Sequence, residues 1–175
     1  YDDVTSRLLD ERAFRRPLAV EEIVSMLRNW TAGDLGSLAR CVGVVVVRLL
    51  DDPALLARVR ILVENSASDQ SAALHGPDEA ELDAIIDECL RIVDPFPSNG
   101  RVTTGPAELP GGISLGEATH VSLEWAAANR DPEVFTGPEG PNTFDPQANR
   151  PNNLVYGIGA HVCPGRLLST VELRI

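Results

Sequence analysis

The chain has 175 residues and a mass of 18.8 kDa, the size of one domain or a piece of one, and 43% of its positions are apolar, enough to build a core. Its 26 acidic residues against 15 basic ones give a formal net charge of -11, a balance that argues against general phosphate binding and against docking on an anionic membrane. The longest apolar run, Cys41 to Val47, stops at Arg48 and falls far short of the roughly 18 residues that span a bilayer.

In chain order, Val4 to Leu9 reads as a helix end, followed by the charged stretch Asp10 to Arg16. Pro17 then stands before a long helical pattern, a position suited to a helix start. Ile23, Leu27, Trp30, Leu38, Val42, Val45 and Leu49 fall close to a 3.6-residue period. The spacing predicts one helix over residues 19–51, ended by Asp51, Asp52 and Pro53, with a shorter helix from there through Leu62. Asn65 to Asp78, rich in Ser, Asp, Gly and Pro, predicts an exposed loop. Glu79 to Val93 predicts a helix with Leu82, Ile85, Ile86, Cys89 and Leu90 on one side, stopped by Pro95 and Pro97. Arg101 to Val121, broken by Pro110, Gly111, Gly112 and Gly116, predicts small strands and turns. Leu123 to Asn129 should hold one or two helical turns. Asp131 to Asn153 is crowded with Pro, Gly, Asn and Asp and reads as irregular, and an unstructured segment so long is usually functional or disordered. A last helix is expected over Leu167 to Ile175. No internal repeat is present.

The most informative segment is Tyr156-Gly157-Ile158-Gly159-Ala160-His161-Val162-Cys163-Pro164-Gly165. Its glycines let the backbone approach a flat ligand closely. Cys163 stands before a helix whose expected first position is Pro164, and a helix N-terminus favours an anionic sulfur. Such a sulfur is what an iron ligand requires. The same features also fit a tight glycine turn with Cys163 as an ordinary buried cysteine. Three scattered cysteines suggest no disulfide framework. A zinc site on His161 and Cys163 is disfavoured, because no Cys-x-x-Cys pair is present.

Here the chain resembles the cytochrome P450 haem-thiolate family. The decapeptide is similar to that family's haem-binding loop, with Tyr156 where Phe is usual. Glu88-Cys89-Leu90-Arg91 resembles the Glu-x-x-Arg helix motif, and Phe144-Asp145-Pro146 followed by Arg150 resembles the meander. Ala126, Ala127 and Asn129-Arg130-Asp131-Pro132 look like the segment before it. The long helix carrying Ala32-Gly33-Asp34 falls where the family's oxygen-activating helix should lie. The resemblance implies a mainly α fold with small β-sheets, the C-terminal half of the P450 fold: long central helix, Glu-x-x-Arg helix, meander and cysteine loop. Residues 1–175 would then be the C-terminal portion of a single haem-binding domain, truncated at both ends.

The family's chemistry implies roles for particular residues. Cys163 would be the axial thiolate on haem iron, the metal ligand, pushing electron density that favours O–O cleavage. Pro164 lacks an N–H, so one backbone donor that could reach the sulfur is absent, which should leave the sulfur more electron-rich. Arg101 and His161 resemble the residues that hold haem propionates, since a guanidinium forks onto a carboxylate. Tyr156, Gly157 and Gly33 complete the expected cofactor contacts. Glu88 and Arg91 would form a buried triad with an arginine of the meander, here Arg150.

The long helix departs from the family at one place. The usual acid and first threonine are Leu35 and Gly36, leaving Ser37 at the last position and Asp34 one residue early. Asp34 shares the stripe of Ile23, Leu27 and Trp30, where an unpartnered charge is costly. Proton delivery would use Asp34 and Ser37 as catalytic residues, water or a substrate group. The leading expectation is a monooxygenase that inserts one oxygen atom from dioxygen into a small organic substrate. A ferredoxin or flavoprotein would donate electrons. A peroxide-driven or oxidative-coupling enzyme and a non-catalytic haem protein are the alternatives. Tyr1-Asp2-Asp3 begins no secretory signal, and the expected setting is cytoplasmic, with neither nucleic acid nor membrane as partner.

Overall fold

The computed structural model describes residues 2–12, 16–68 and 76–175, as seven α-helices and two small sheets among those residues. The chain divides into two compact units, up to Arg40 and from Cys41. The first unit holds α1 (Val4–Asp10) and the N-terminal part of α2 (Val20–Asp51). Asp3 caps α1, accepting from Ser6 N at 2.7 Å. Within this unit Leu18 and Ile23 are buried and Leu27 is half-buried, but Trp30 is half exposed. The predicted apolar stripe is therefore only partly covered here.

Glu22 holds the start of α2. Its carboxylate accepts from Arg16 at 2.7 and 2.8 Å and from Ala19 N at 2.7 Å. The Arg16 bonds, then the Ala19 N–H, hold its pKa down at about 2 against a usual 4.5. A depressed folded value means the contact helps at pH above the usual value and is lost as pH falls toward about 2. The protection factor of the Ala19 amide, its exchange rate relative to an unfolded peptide at the same pH, should therefore fall across that acid window and stay flat above it.

The second unit is built around α4 (Pro77–Val93). Pro77 opens it, Asp78 and Glu79 place negative charge in its first turn, and Glu79 accepts from Gly76 N at 3.1 Å. Asp94 closes it in the left-handed region, φ 42°, with its N–H on Leu90 O at 2.8 Å, before Pro95. Every residue from Leu82 to Arg91 is buried, the mark of a helix surrounded on all sides. Leu82, Ile85, Ile86, Cys89 and Leu90 pack with Cys41 and Val45 of α2 and with Leu62 of α3 (Pro53–Ser68). Phe96, Phe144, Val155 and Leu173 close over that cluster. The one-sided stripe predicted for α4 is present, and its other side buries Asp83, Asp87, Glu88 and Arg91. Sequence periodicity ranks such charges as solvent-facing; here each finds a partner.

Two antiparallel ribbons follow. Strand β1 (Ser98–Val102) pairs with β4 (His120–Glu124), Arg101 opposite Val121, while β2 (Ala107–Leu109) pairs with β3 (Ile113–Leu115). The second hairpin turns at Gly111 and Gly112, both at positive φ. Beyond them come α5 (Trp125–Ala128), α6 (Pro146–Asn149), three 3-10 turns and α7 (Arg166–Arg174).

Several boundaries differ from expectation. Helix α3 runs to Ser68, past Leu62 and into the predicted loop, where residues 69–75 lie outside the described set. The helical turn before Asn129 is α5 alone, because 123 and 124 still pair in β4. Helix α7 starts at Arg166 with Gly165 as its N-cap, so Pro164 precedes the helix instead of opening it. Pro164 and Gly165 form a turn, and the Cys163 carbonyl meets Arg166 N at 3.4 Å. Among the described residues no helix is long and apolar enough to cross a membrane.

Candidate functional site

The glycine loop begins as a tight turn, Gly157 N donating to Leu154 O at 2.8 Å. Gly157 and Gly159 take φ of 70° and 75°, values that a side chain at either position would strain. A 3-10 turn over Gly159–His161 then folds back, so that Cys163 N donates to Tyr156 O at 2.8 Å. Four of the predicted residues, Tyr156, Gly157, His161 and Cys163, thus meet in one closed loop. Ile158, Ala160, His161 and Val162 lie on its exposed outside.

Cys163 is a free, half-buried thiol, whereas Cys41 and Cys89 are buried. Burial, with Asp94 and Cys163 adding to it, pushes the Cys41 thiol up to about 11. Burial likewise pushes Cys89 up to about 12. Both are therefore protonated core thiols, and Cys163 is the accessible thiol among the three cysteines. Tyr156 lies behind it. Its hydroxyl is buried with no good hydrogen-bond partner, although the Thr170 hydroxyl is close enough to act on it, and burial together with Asp87 pushes the phenol upward. The Arg166 guanidinium sits over the Tyr156 ring, 5.2 Å from its centroid.

Beneath the loop runs a fully satisfied polar network. Arg91 is fully buried, and its Nε and Nη2 fork onto Glu88 at 2.7 and 2.8 Å. Its Nη1 donates to the carbonyls of Asn129 (2.7 Å) and Pro141 (2.9 Å), and Nη2 also donates to Thr143 O (3.2 Å). All of the guanidinium's donors are used, and its flat face covers the Phe135 ring at 4.5 Å. Glu88 in turn accepts from Asn149 Nδ2 at 2.7 Å and from Asp145 N at 3.0 Å.

The third member of this triad is therefore Asn149, not Arg150. Arg150 instead reaches Asp87 at 3.3 Å and Asp83 at 3.7 Å. Glu88 is already neutralised by one forked arginine, so its remaining lone pairs need N–H donors and not a second cation. Asparagines missed in the sequence do the rest. Asn129, fully buried, donates to Asp94 at 3.1 Å and accepts from Leu154 N at 2.8 Å. Asn153 donates to Asp87 O at 2.7 Å. The sequence clue was positional: each asparagine flanks a motif residue in a loop otherwise short of donors.

Other predicted residues lie elsewhere. Arg101 projects from β1, exposed, donating to its own neighbour Gly100 O at 2.8 Å. Gly33, Asp34 and Ser37 belong to the first unit, with Asp34 and Ser37 half-buried. A Cβ added at Gly33 or Gly36 would meet no described atom within 4 Å, so packing among the described residues does not explain these helix glycines.

An exposed-edged glycine loop carrying one accessible thiol, beside a buried Glu–Arg helix, is the arrangement that the resemblance to haem-thiolate proteins implies. The sequence profile described as Cytochrome P450 matches residues 80–175. This chain belongs to the cytochrome P450 family. It is 34% identical over 90 residues to the biotin biosynthesis cytochrome P450 of Bacillus subtilis, covering 51% of this chain and 22% of that protein. To the cyclomarin C epoxidase CymV of Salinispora arenicola it is 28% identical over 179 residues, 99% of this chain and 39% of the relative. A solved structure of P450BioI with an acyl carrier protein ligated to hexadec-9Z-enoic acid superposes with a TM-score of 0.76 at 27% identity, over 99% of this chain and 40% of that one. The fold is thus part of the P450 fold, and the chain spans about two fifths of the length of such relatives. The family carries haem with a cysteine thiolate as axial ligand.

Proposed function

We propose that the protein of which this chain is a part is a haem-thiolate monooxygenase acting on a small organic molecule, in which Cys163 would hold the haem iron. The observation that carries this reading is Cys163 itself, the accessible thiol on a loop closed by glycines at positive φ. The donor set suits the group. A soft sulfur is flanked by exposed apolar Ile158 and Val162, the surroundings a flat macrocycle needs, and the glycines leave no side chain to hold it off. Bound haem supplies the oxygen-activating iron.

The chain's own groups would orient and hold. Tyr156 O fixes the Cys163 amide, and the Glu88–Arg91–Asn149 network fixes the meander beneath. Arg101 and His161, both exposed, would take the two propionates as cation and donor. Asp34 and Ser37 would pass protons from solvent on α2. A ferredoxin or flavoprotein would supply electrons. Leu35 and Gly36, standing where an acid and a hydroxyl are usual, favour a second reading, in which peroxide supplies the oxygen or substrates are coupled oxidatively.

The test is a reduced, carbon-monoxide difference spectrum of the intact protein beside Cys163→Ser. A strongly red-shifted Soret band that vanishes in the variant is expected. Haem clearly bound without that band would refute the thiolate assignment.

A further inference from the structure

The residues after Cys163 close a circuit back onto it. Tyr156 O accepts the Cys163 amide at 2.8 Å, and the Cys163 carbonyl meets the Arg166 amide at 3.4 Å. The Arg166 guanidinium returns over the Tyr156 ring, 5.2 Å from its centroid. That guanidinium comes within ion-pair distance of one carboxylate of the scaffold. Asp87, on the buried side of α4, is 4.0 Å from Arg166 Nη2 and 3.3 Å from Arg150 Nε.

Asp87 belongs to an acidic ladder on α4 with Glu79 and Asp83, one turn apart, which faces arginines of the 3-10 turn and of α7. Arg174 takes Asp83 and Glu79, Arg150 spans Asp83 and Asp87, and Arg166 takes Asp87. Most of these contacts dock α7 on α4. The Asp87–Arg166 contact alone leads into the cysteine loop. Exposed ion pairs are weak, but Asp87 is only 5% exposed, and a carboxylate taken out of water is costly unless cations stand beside it. The cation over the Tyr156 ring adds a smaller attraction of its own.

Resting on the haem-thiolate reading above, we propose that Asp87 is a positioning residue for the Cys163 sulfur, acting through Arg166 and the ring of Tyr156. Nothing in this role requires Asp87 to touch the cofactor. It sets where Arg166 sits, and Arg166 sets how the loop between Tyr156 and Cys163 closes.

The experiment compares Asp87→Asn, Arg166→Gln and Tyr156→Leu with Asp83→Asn in the intact haem-loaded protein. The readouts are the fraction of the reduced carbon-monoxide complex in the red-shifted band and the rate at which that band decays. A second measurement in the haem-free chain follows alkylation of Cys163, with the buried Cys41 and Cys89 as internal controls. Each of the first three substitutions should speed band decay and Cys163 alkylation by about tenfold, and Asp87→Asn with Arg166→Gln should be no worse than either alone, as coupled residues behave. Tyr156→Phe and Asp87→Glu should restore most of the signature. Asp83→Asn, equally buried in the same ladder, should lower the unfolding midpoint and leave the signature in place. Should Asp83→Asn change the band as much as Asp87→Asn, the role is merely structural and the proposal fails. It fails too if Arg166→Gln, at a half-exposed side chain, alters neither readout. A red-shifted band surviving Cys163→Ser would instead refute the thiolate reading beneath it.

Discussion

Arg91→Ala should cost the fold about 3–5 kcal/mol, the range for removing one partner of a buried ion pair, read as a shift in the denaturant midpoint with the slope unchanged. The cost is large because the vacancy strands several groups at once. Glu88, 1% exposed, would keep a buried charge with only Asn149 and Asp145 N to answer it. The carbonyls of Asn129, Pro141 and Thr143 would lose this donor together. Phe135 would lose the guanidinium that covers its face. Some buried ion pairs can be swapped for apolar residues without loss. This one should not, since three carbonyls from the segments around the meander would still need a donor. Arg91→Lys should recover little, because an ammonium cannot fork onto Glu88 and serve those carbonyls as well. A loss under about 1 kcal/mol for Arg91→Ala would mean that the network is not holding the meander.

That network also marks where the sequence was readable. Helix α4 was legible from apolar period, proline stop and motif spacing, because local rules all pointed one way there. The glycine loop was legible for the same reason: only glycine suits the positive φ at 157 and 159. The third partner of Glu88 was not. Arg150 and Asn149 are adjacent, and charge alone favours the arginine. The choice is made by the one-turn helix α6, which turns Asn149 toward Glu88 and leaves Arg150 to face Asp83 and Asp87. A helix that short carries no periodic signal. The start of α7 was hidden in the same manner, because Pro164 suits a first helical position as well as the turn it occupies. Asp34 and Ser37 remain readable only as a departure from a pattern.

Asn129→Ala should be the next most damaging change, at about 2–4 kcal/mol for two buried polar groups left unmatched. Its Nδ2 donates to Asp94 and its Oδ1 accepts from Leu154 N, two residues ahead of Tyr156. Alanine keeps the backbone carbonyl that serves Arg91, so the loss isolates the side chain's work. Asn129→Asp separates the two bonds. It keeps an acceptor for Leu154 N but sets a second carboxylate against Asp94, whose pKa burial already raises. Two carboxylates so close cannot both ionise cheaply. Their folded pKa values would then lie above the unfolded ones, so their contribution is fully present below the usual carboxylate range and is lost as pH rises through the folded values. Asn129→Asp should therefore come close to the wild-type urea midpoint in acid and fall well below it at neutral pH, whereas Asn129→Ala should already carry a deficit in acid, one that grows further as pH rises because the hydrogen bond holding the Asp94 pKa down is gone. A flat deficit for Asn129→Asp would show that Asp94 is not the partner that makes Asn129 indispensable.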